Sequence, residues 1–154
     1  MNFGCFMKYL CGYMITWTVY GTWLQGNKRG YVKNGKTLLP NKNLENANKS
    51  SMKSTAFRLN KQQKDIVRQI IISEAEKNGQ EILALSVCSN HIHLVAKPCK
   101  FEIHKLVRNY KSKSWHALKA TGVKQKVWTK GYDKRFCFSI EKLKGKIEYV
   151  NNHN

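Results

Sequence analysis

Two histidines separated by a single residue stand in the stretch SNHIHLVAKP, at positions 89–98. In a β-strand, residues two apart point to the same face, so His91 and His93 would project together, about 6.5–7 Å apart along the chain. Ile92 and Leu94 would point to the opposite face, toward a core. Neutral imidazoles in this arrangement can share one divalent metal ion. Although His-x-His alone is a weak motif, the spacing favours a metal site over a pair of core histidines.

Cysteines flank this stretch and bear on which metal it could hold. Cys88 precedes the histidines and Cys99 follows them. Zinc hydrolases usually complete three protein ligands with His, Glu or Cys, so a zinc site stays open. Cys88, however, belongs to the apolar run EILALSVCS, and we interpret it as a small core residue.

The C-terminal segment SIEKLKGKIEYVNNHN contains a second candidate, Tyr149. At about 100° per residue, the segment predicts an amphipathic helix capped by Ser139. Its apolar stripe consists of Ile140, Leu143, Ile147 and Val150. Tyr149 falls off that stripe, on the side of Lys142 and Lys146, and His153 is its neighbour one turn on. Cationic neighbours favour the phenolate and make Tyr149 a candidate nucleophile, but on this feature alone an ordinary surface tyrosine is the better interpretation.

The elements that must position these side chains follow from local patterns. Aromatic and β-branched residues in alternation predict a strand within Tyr13–Trp23. A basic loop or insertion covers 24–56, with a short hairpin around 31–38, and loops of this length are often functional. A capping box that begins at Asn60 opens a helix, which closes at Gly79.

The second half of the chain completes the pattern. Two strands, 81–89 and 91–98, are separated by a tight turn and predict an antiparallel hairpin. A helix at 101–120, a short strand at 135–139 and the last helix follow. The order strand, helix, strand, strand, helix, strand is a split βαβ. We therefore predict a single α+β domain, residues 1–154, with a ferredoxin-like (RRM-like) antiparallel sheet, helices on one face and a C-terminal helix bearing the tyrosine.

The charge of the chain indicates a polyanionic partner. It has 28 Lys and Arg against 9 Asp and Glu, a formal net charge of +19. Phosphate contacts by Lys and Arg release counterions, so nucleic acid is favoured over a ribosomal-type or lipid-surface role. No run reaches the about 18 apolar residues of a membrane span. The 5 cysteines, Cys5 included, form no CxxC pair and predict reduced thiols in a cytoplasmic protein.

Four segments, taken together, resemble the HUH-type single-tyrosine transposases, the superfamily of insertion-sequence transposases that includes the REP-associated tyrosine transposases. CSNHIHLVAKP resembles the family's Asn-His-hydrophobic-His-Leu strand, and VWTKGYDKRF resembles its Trp-x-x-Gly-Tyr segment. YMITWTVYGTW resembles the opening strand, and KLKGKIEYVNNH resembles the helix of the catalytic tyrosine. The resemblance extends from about Tyr13 to His153.

The resemblance implies a mechanism and a partner. His91 and His93 would hold Mg²⁺ or Mn²⁺ with a third ligand one turn after the tyrosine, which here is His153, with Asn152 as the alternative. Tyr149 would attack the scissile phosphate and give a covalent 5′-phosphotyrosine and a free 3′ hydroxyl. The partner would be single-stranded DNA with hairpins at the element ends, which would associate the protein with the nucleoid. Transposing relatives tend to be homodimers, while REP-associated ones can be monomers.

Two other functions stay open at this point. A non-catalytic module for single-stranded nucleic acid would present two or three aromatics on central strands, and the strand from His91 to Pro98 has none. A metal nuclease without a covalent step would use the same histidines, but it would not need Tyr149.

Overall fold

The computed structural model describes residues 9–34 and 36–153. The strands are β1 Gly12–Thr18, β2 Tyr31–Lys33, β3 Lys36–Leu38, β4 Ile82–Val87, β5 His91–Ala96 and β6 Asp133–Cys137. The helices are α1 Lys42–Ser50, α2 Lys61–Lys77, α3 Ile103–Ala120 and α4 Ile140–Asn151. Four strands form an antiparallel sheet in the order β4-β5-β1-β6, while β2 and β3 pair separately. Since α2 connects β1 to β4 and α3 connects β5 to β6, the predicted split βαβ fold is confirmed.

One face of the sheet is covered by α2 and α3. Alternate residues of β1 point to this face, and Ile15 and Trp17 are almost fully buried there. The Trp17 ring stacks on Tyr110 of α3 at 6.4 Å between centroids and meets Trp128 edge-on at 6.2 Å. Aromatic pairs at these distances add to the stabilisation from buried area. This face therefore forms the main core.

The helix α2 begins and ends as its sequence predicts. The Asn60 side chain accepts from the Gln63 backbone N–H at 2.8 Å, and the Gln63 side chain accepts from the Asn60 N–H at 2.9 Å. The reciprocal pair satisfies two N–H groups that lack a partner within the helix. Gly79 follows the last turn with φ of +65°, a conformation that glycine adopts without a steric penalty.

The opposite face of the sheet is covered by the single helix α4. Ser139 caps it, accepting from the Lys142 N–H at 3.2 Å. Leu143 and Val150 are buried against the sheet, whereas Ile140, predicted to lie on the same stripe, is 59% exposed. A Cβ on Gly12 would lie 2.7 Å from a Leu143 methyl, so this glycine lets the helix approach β1 closely. Leu143 and Val150 thus anchor α4, which leaves its flank free to bear Tyr149.

The predicted loop 24–56 contains more structure than its sequence suggested. The hairpin is present as β2 and β3, but the segment also forms the helix α1, which the prediction missed. Since α1 buries no residue, it has no apolar stripe to signal it. Contacts from Asn27 to Glu45 at 3.2 Å and from Asn48 to the Gln25 carbonyl at 3.0 Å hold the helix to the preceding turn.

The strand boundaries also differ from the prediction, slightly for β4 and β5, which end two residues early, and more for β1 and β6. β1 ends at Thr18 instead of continuing to Trp23, and β6 covers 133–137 instead of 135–139. Past Thr18, only an isolated bridge between Val19 and Trp128 continues the pairing. Among the described residues, no helix combines the length and apolarity that a membrane crossing requires.

Candidate active site

The strand β5 places His91 and His93 on the face that α4 covers. In the antiparallel register, His93 lies opposite Thr16 and His91 lies opposite Thr18. Ile92 points to the other face and is fully buried. The prediction that the two imidazoles share a face opposite the core residues is therefore confirmed.

The third predicted histidine joins the pair from the end of α4. The ring centroids lie 4.6 Å apart for His91 and His93, 4.9 Å for His91 and His153, and 4.7 Å for His93 and His153. The Nε2 atoms of His91 and His153 are 2.8 Å apart. Asn152, the alternative ligand, is instead the exposed C-cap of α4. We call His91, His93 and His153 the histidine cluster.

Two side chains orient the strand histidines. Asn90 Oδ1 lies 2.7 Å from His91 Nδ1, and because an amide oxygen only accepts, His91 donates through Nδ1. His91 Nε2 then holds a lone pair toward His153. Thr16 Oγ1 lies 2.7 Å from His93 Nδ1. A partner on the outer nitrogen holds the ring in place, as it does for histidines that bind metals, and the Asn90 oxygen also fixes the tautomer of His91.

The environment keeps these imidazoles neutral. Burial, followed by the charge of His153, lowers the pKa of His91 to about 4. Burial lowers the pKa of His93 to about 4 as well, with smaller effects from His91, His153 and Lys146. Desolvation disfavours the imidazolium form. At neutral pH both rings therefore present lone pairs, which is the form that binds a cation.

Tyr149 lies on the open side of the histidine cluster. Its ring centroid is 5.6 Å from that of His93 and 5.1 Å from that of His153, and the side chain is 48% exposed. The exposure leaves the phenol accessible to a large substrate, as a nucleophile requires. The structure thus brings together all four predicted site residues.

A cavity of about 500 Å³ opens in front of these side chains. We call it the histidine cavity. Its far wall includes Gln25, Arg29 and Tyr31, from the segment that was predicted as a loop, together with Trp23, the last residue of the predicted opening strand. This wall gives the 24–56 segment a place in the site that its sequence did not reveal.

Cys88 lies at this site, which corrects its interpretation as a small core residue. Its side chain is only partly buried, and its Sγ donates to the His153 carbonyl at 3.3 Å. Cys88, His91 and His153 each offer a ligand atom, and these atoms all lie within 4.8 Å of one another. Cys11, Cys99 and Cys137 are also free thiols, while Cys5 lies outside the described residues.

Sequence reasoning missed the polar residues that support the histidines. Thr16 belongs to β1, 77 residues before His93, and nothing in its local pattern distinguishes it from Thr18. Asn90 occupies the tight turn that the sequence predicts between the two strands, and that position alone does not indicate its contact with His91. Strand register is the signal that identifies Thr16, and register becomes visible only once the strands are paired.

The Trp-x-x-Gly-Tyr segment lies on the other side of the sheet edge, against α3. The Trp128 indole N–H is 3.1 Å from both the Lys111 carbonyl and Ser114 Oγ. Lys111 Nζ donates to the carbonyls of Thr129, at 2.8 Å, and Gly131. This segment therefore holds the α3–β6 connection in place and contributes no residue to the histidine cavity.

The fold and the site define a class: an α+β protein whose His-hydrophobic-His strand faces a tyrosine on a C-terminal helix. Residues 50–153 match the family described as Transposase IS200 like. Since the match covers more than half of the chain, the protein belongs to the IS200-like transposase family, within the HUH-type tyrosine transposases, as its sequence predicts. The family is one of transposases, which act on mobile elements, and it is metal-dependent in general.

A solved structure agrees with this fold. A REP-associated tyrosine transposase bound to a REP hairpin matches with a TM-score of 0.59 and 15% identity, over 93% of this chain and 66% of that chain. This chain thus spans just under two thirds of that relative. A Deinococcus radiodurans R1 protein assigned as a transposase matches with a TM-score of 0.47 and 19% identity, over 95% of this chain and 92% of that chain. No curated protein matches the chain significantly.

Proposed function

We propose that this protein is a DNA transposase that cleaves and rejoins single-stranded DNA through a covalent intermediate on Tyr149. The observation that carries the proposal is the half-exposed Tyr149 ring, 5.6 Å and 5.1 Å from the rings of His93 and His153 at the mouth of a cavity. Membership in a transposase family supports the same conclusion. The geometry supports it too, because an ordinary surface tyrosine has no reason to lie beside three clustered imidazoles.

The covalent step exchanges one phosphoester for another. Tyr149 Oη attacks the scissile phosphorus, and a new P–O bond to the tyrosine forms as the P–O3′ bond breaks. The phenol gives up its proton to solvent, and the departing 3′ oxygen takes one up to become a hydroxyl. Attack by a 3′ hydroxyl on the phosphotyrosine reverses the step. Because the number of phosphoester bonds is unchanged, rejoining needs no external energy source.

The histidine cluster is the proposed site of a divalent cation, Mg²⁺ or Mn²⁺. Imidazoles are competent donors when neutral, and the low pKa values of His91 and His93 keep these two rings neutral. Of the two ions, Mn²⁺ suits nitrogen ligands better, since Mg²⁺ prefers oxygen and retains water. When bound, the ion would polarise the scissile phosphate. The protein's own part is to hold the three rings through Asn90, Thr16 and the end of α4.

The surroundings of Tyr149 suit a single strand of DNA. Trp23 is 38% exposed on the wall of the histidine cavity, where a base could stack on it. On the other side of Tyr149, a second cleft is lined by Lys146 and by Arg135, which pairs with Asp133 at 2.9 Å. With a net charge of +19, the chain favours a polyanion throughout.

The substrate that we propose is single-stranded DNA with hairpins at the element ends. The fold relative was solved on a REP hairpin, and its fold is the one this chain has. DNA binding would associate the protein with the nucleoid. We also propose a homodimer, which sedimentation with and without DNA would test.

The test is a covalent-adduct assay. Labelled single strands with candidate hairpins are incubated with the protein and Mn²⁺ or Mg²⁺, and then separated on a denaturing gel. The wild type should give an adduct that EDTA prevents, and Tyr149→Phe should give none. Tyr9→Phe is the matched control, because Tyr9 is also exposed, at 62%, and is not among the residues of the histidine cavity.

Two outcomes would contradict the proposal. If the DNA is cleaved without an adduct, and Tyr149→Phe still cleaves it, the protein is a hydrolytic nuclease that uses the same histidines. An adduct that persists in Tyr149→Phe would place the nucleophile elsewhere. Loss of the adduct in Tyr9→Phe as well would mean that the assay reports folding and not the nucleophile, and thermal unfolding of each variant resolves this.

A further inference from the structure

Cys88 brings a thiol to two of the three histidines. Cys88, His91 and His153 each offer one ligand atom, and these three atoms lie within 4.8 Å of one another. The Nε2 atoms of His91 and His153 are already 2.8 Å apart. We call these three residues the thiol set. Cys88 has no place in the proposed cleavage reaction, so its position beside the histidines needs an account of its own.

The chemistry of the thiol set differs from that of the histidine cluster. Thiolate and imidazole are the ligands of structural and catalytic Zn²⁺, with Zn–S of about 2.3 Å and Zn–N of about 2.0–2.1 Å. Mg²⁺ and Mn²⁺ prefer oxygen and gain little from a thiolate. The two sets share His91 and His153. With Cys88 as the third ligand, this pair of imidazoles would therefore select a different ion than with His93.

The backbone around the thiol set is suited to closing on a small ion. The Cys88 N–H donates to the His91 carbonyl at 2.9 Å, which fixes the thiol next to its partner across the hairpin. His153 follows the C-cap of α4, and its carbonyl accepts from Ser86 Oγ at 3.1 Å and from Cys88 Sγ at 3.3 Å. Zinc binds the thiolate, so the Cys88 proton is released to solvent on binding and its hydrogen bond to the carbonyl is replaced by the bond to the ion. Donors of a tetrahedral Zn²⁺ lie about 3.3–3.8 Å apart, so shifts of about 1 Å suffice.

We propose that Cys88, His91 and His153 form a zinc site that competes with the catalytic cation. A Zn²⁺ ion there is held by two histidines of the histidine cluster and leaves His93 unused. Since affinities of nitrogen and sulfur sites rise steeply from Mn²⁺ to Zn²⁺, a small amount of zinc displaces a large excess of manganese. The zinc-bound protein is inactive, so zinc availability regulates the transposase. Only this regulatory consequence rests on the proposed function; the binding site stands without it.

Metal binding is measured first, on the whole reduced protein without DNA. Co²⁺ serves as a spectroscopic probe, and a chromophoric chelator competes for Zn²⁺. Wild type and Cys99→Ser should show a thiolate-to-cobalt charge-transfer band that is absent in Cys88→Ser. The zinc affinity of Cys88→Ser should fall by about tenfold or more, the loss that even an outer-shell partner causes. Cys99→Ser is the matched control, because it removes an equally partly buried thiol elsewhere.

Two results overturn the proposal: a wild-type cobalt spectrum without the thiolate band, or equal zinc affinity in wild type and Cys88→Ser. If Cys88→Ser does not fold, His153→Ala removes a different ligand beyond the end of α4, and it should weaken zinc binding to a similar extent. Unchanged zinc affinity in His153→Ala also overturns the proposal.

Inhibition is measured separately with the adduct assay in Mn²⁺. Each variant's rate with zinc is divided by the same variant's rate without zinc. Zinc should suppress the wild type at concentrations about tenfold lower than those that suppress Cys88→Ser. Zinc binding without inhibition would overturn the regulatory role and leave the site. Absence of any adduct would count against the proposed cleavage and leave the spectroscopic result standing.

Discussion

The two faces of the central sheet receive different kinds of side chain from the same strands. Toward α2 and α3, β5 contributes Ile92 and Leu94, both fully buried. Toward α4 it contributes His91 and His93, which have polar partners and border a cavity. One six-residue strand thus belongs to the main core on one side and to the candidate active site on the other.

This difference shows how a rigid site is built from few residues. The face under two long helices stabilises the strand through buried apolar area, so the other face can hold polar groups that stabilise little. The helix α4 buries only Leu143 and Val150, enough to hold it in place while its end remains beside the cavity. Substitutions on the face toward α4 should therefore reduce activity more than stability. Substitutions on the face toward α2 and α3 should reduce stability more than activity.

The largest effect is expected for His93→Ala. Loss of one proposed ligand should reduce adduct formation by about 100-fold or more. The free energy of unfolding should fall by only about 1 kcal/mol, because His93 is buried but loses a hydrogen bond to Thr16 and no packing in the main core. The adduct assay and urea unfolding measure the two quantities. His104→Ala is the matched control, since its side chain is 59% exposed on α3, and an equal loss in that variant would contradict the prediction.

The corresponding substitution on the core face of β5 is Ile92→Ala, one residue away from His93. Removing most of a fully buried side chain should lower the free energy of unfolding by about 2–5 kcal/mol. The remaining folded protein should still bind Co²⁺, which is measured after removal of unfolded material. Ile72→Ala is the control, because Ile72 is 41% exposed on α2 and should change stability by about 0.5 kcal/mol or less. If Ile92→Ala and Ile72→Ala lowered the free energy of unfolding equally, Ile92 would stabilise the protein no more than an exposed helix residue does. The contrast between the two faces of the sheet would then fail.

The same contrast explains how far the sequence could be interpreted. The pair His91 and His93 and the position of Tyr149 follow from local periodicity, and the structure brings these residues together. The core face follows from the apolar residues between them. Cys88 was misjudged because its run of neighbours is apolar, while its actual contacts come from His153, 65 residues later in the chain.

What the sequence did not reveal depends on distant pairing or on surface contacts. Thr16 acquires its role only from its register with His93. The helix α1 is held by polar contacts and buries no side chain, so hydrophobic periodicity cannot find it. For the same reason, the wall formed by Trp23 and Arg29 could not be assigned to the site.

A smaller effect is expected from Lys111, a half-buried cation on α3. Burial, with a smaller effect from Lys126, lowers its pKa to about 8 from a usual value near 10.5. Between these pH values the unfolded state binds the proton and the folded state does not, so this group's contribution to stability rises with pH. Relative to Lys111→Met, the wild type should gain about 1–2 kcal/mol from pH 7.5 to 9.5.

Urea unfolding across that window measures the difference between the two proteins. The comparison with Lys111→Met is needed because other groups titrate too. Burial raises the pKa of Tyr13 to about 12 and also raises that of Cys137, and both effects lower stability at high pH. These groups are common to wild type and variant and cancel in the difference. A difference that stays flat with pH would show that Lys111 keeps its proton despite burial.

The smallest effect is expected for Thr16→Val, which tests whether the site face depends on a residue that holds a proposed metal ligand in place. Valine keeps the shape but removes the hydroxyl 2.7 Å from His93 Nδ1. The free energy of unfolding should fall by about 1 kcal/mol. Mn²⁺ affinity should fall by about tenfold, because the ring loses the partner that holds it in place. Thr18→Val, the neighbouring threonine on the same cavity wall, should change affinity far less. Nitrogen NMR of His93 separates positioning from simple destabilisation: a changed tautomer population supports the positioning role, whereas lost stability with an unchanged tautomer and unchanged affinity contradicts it.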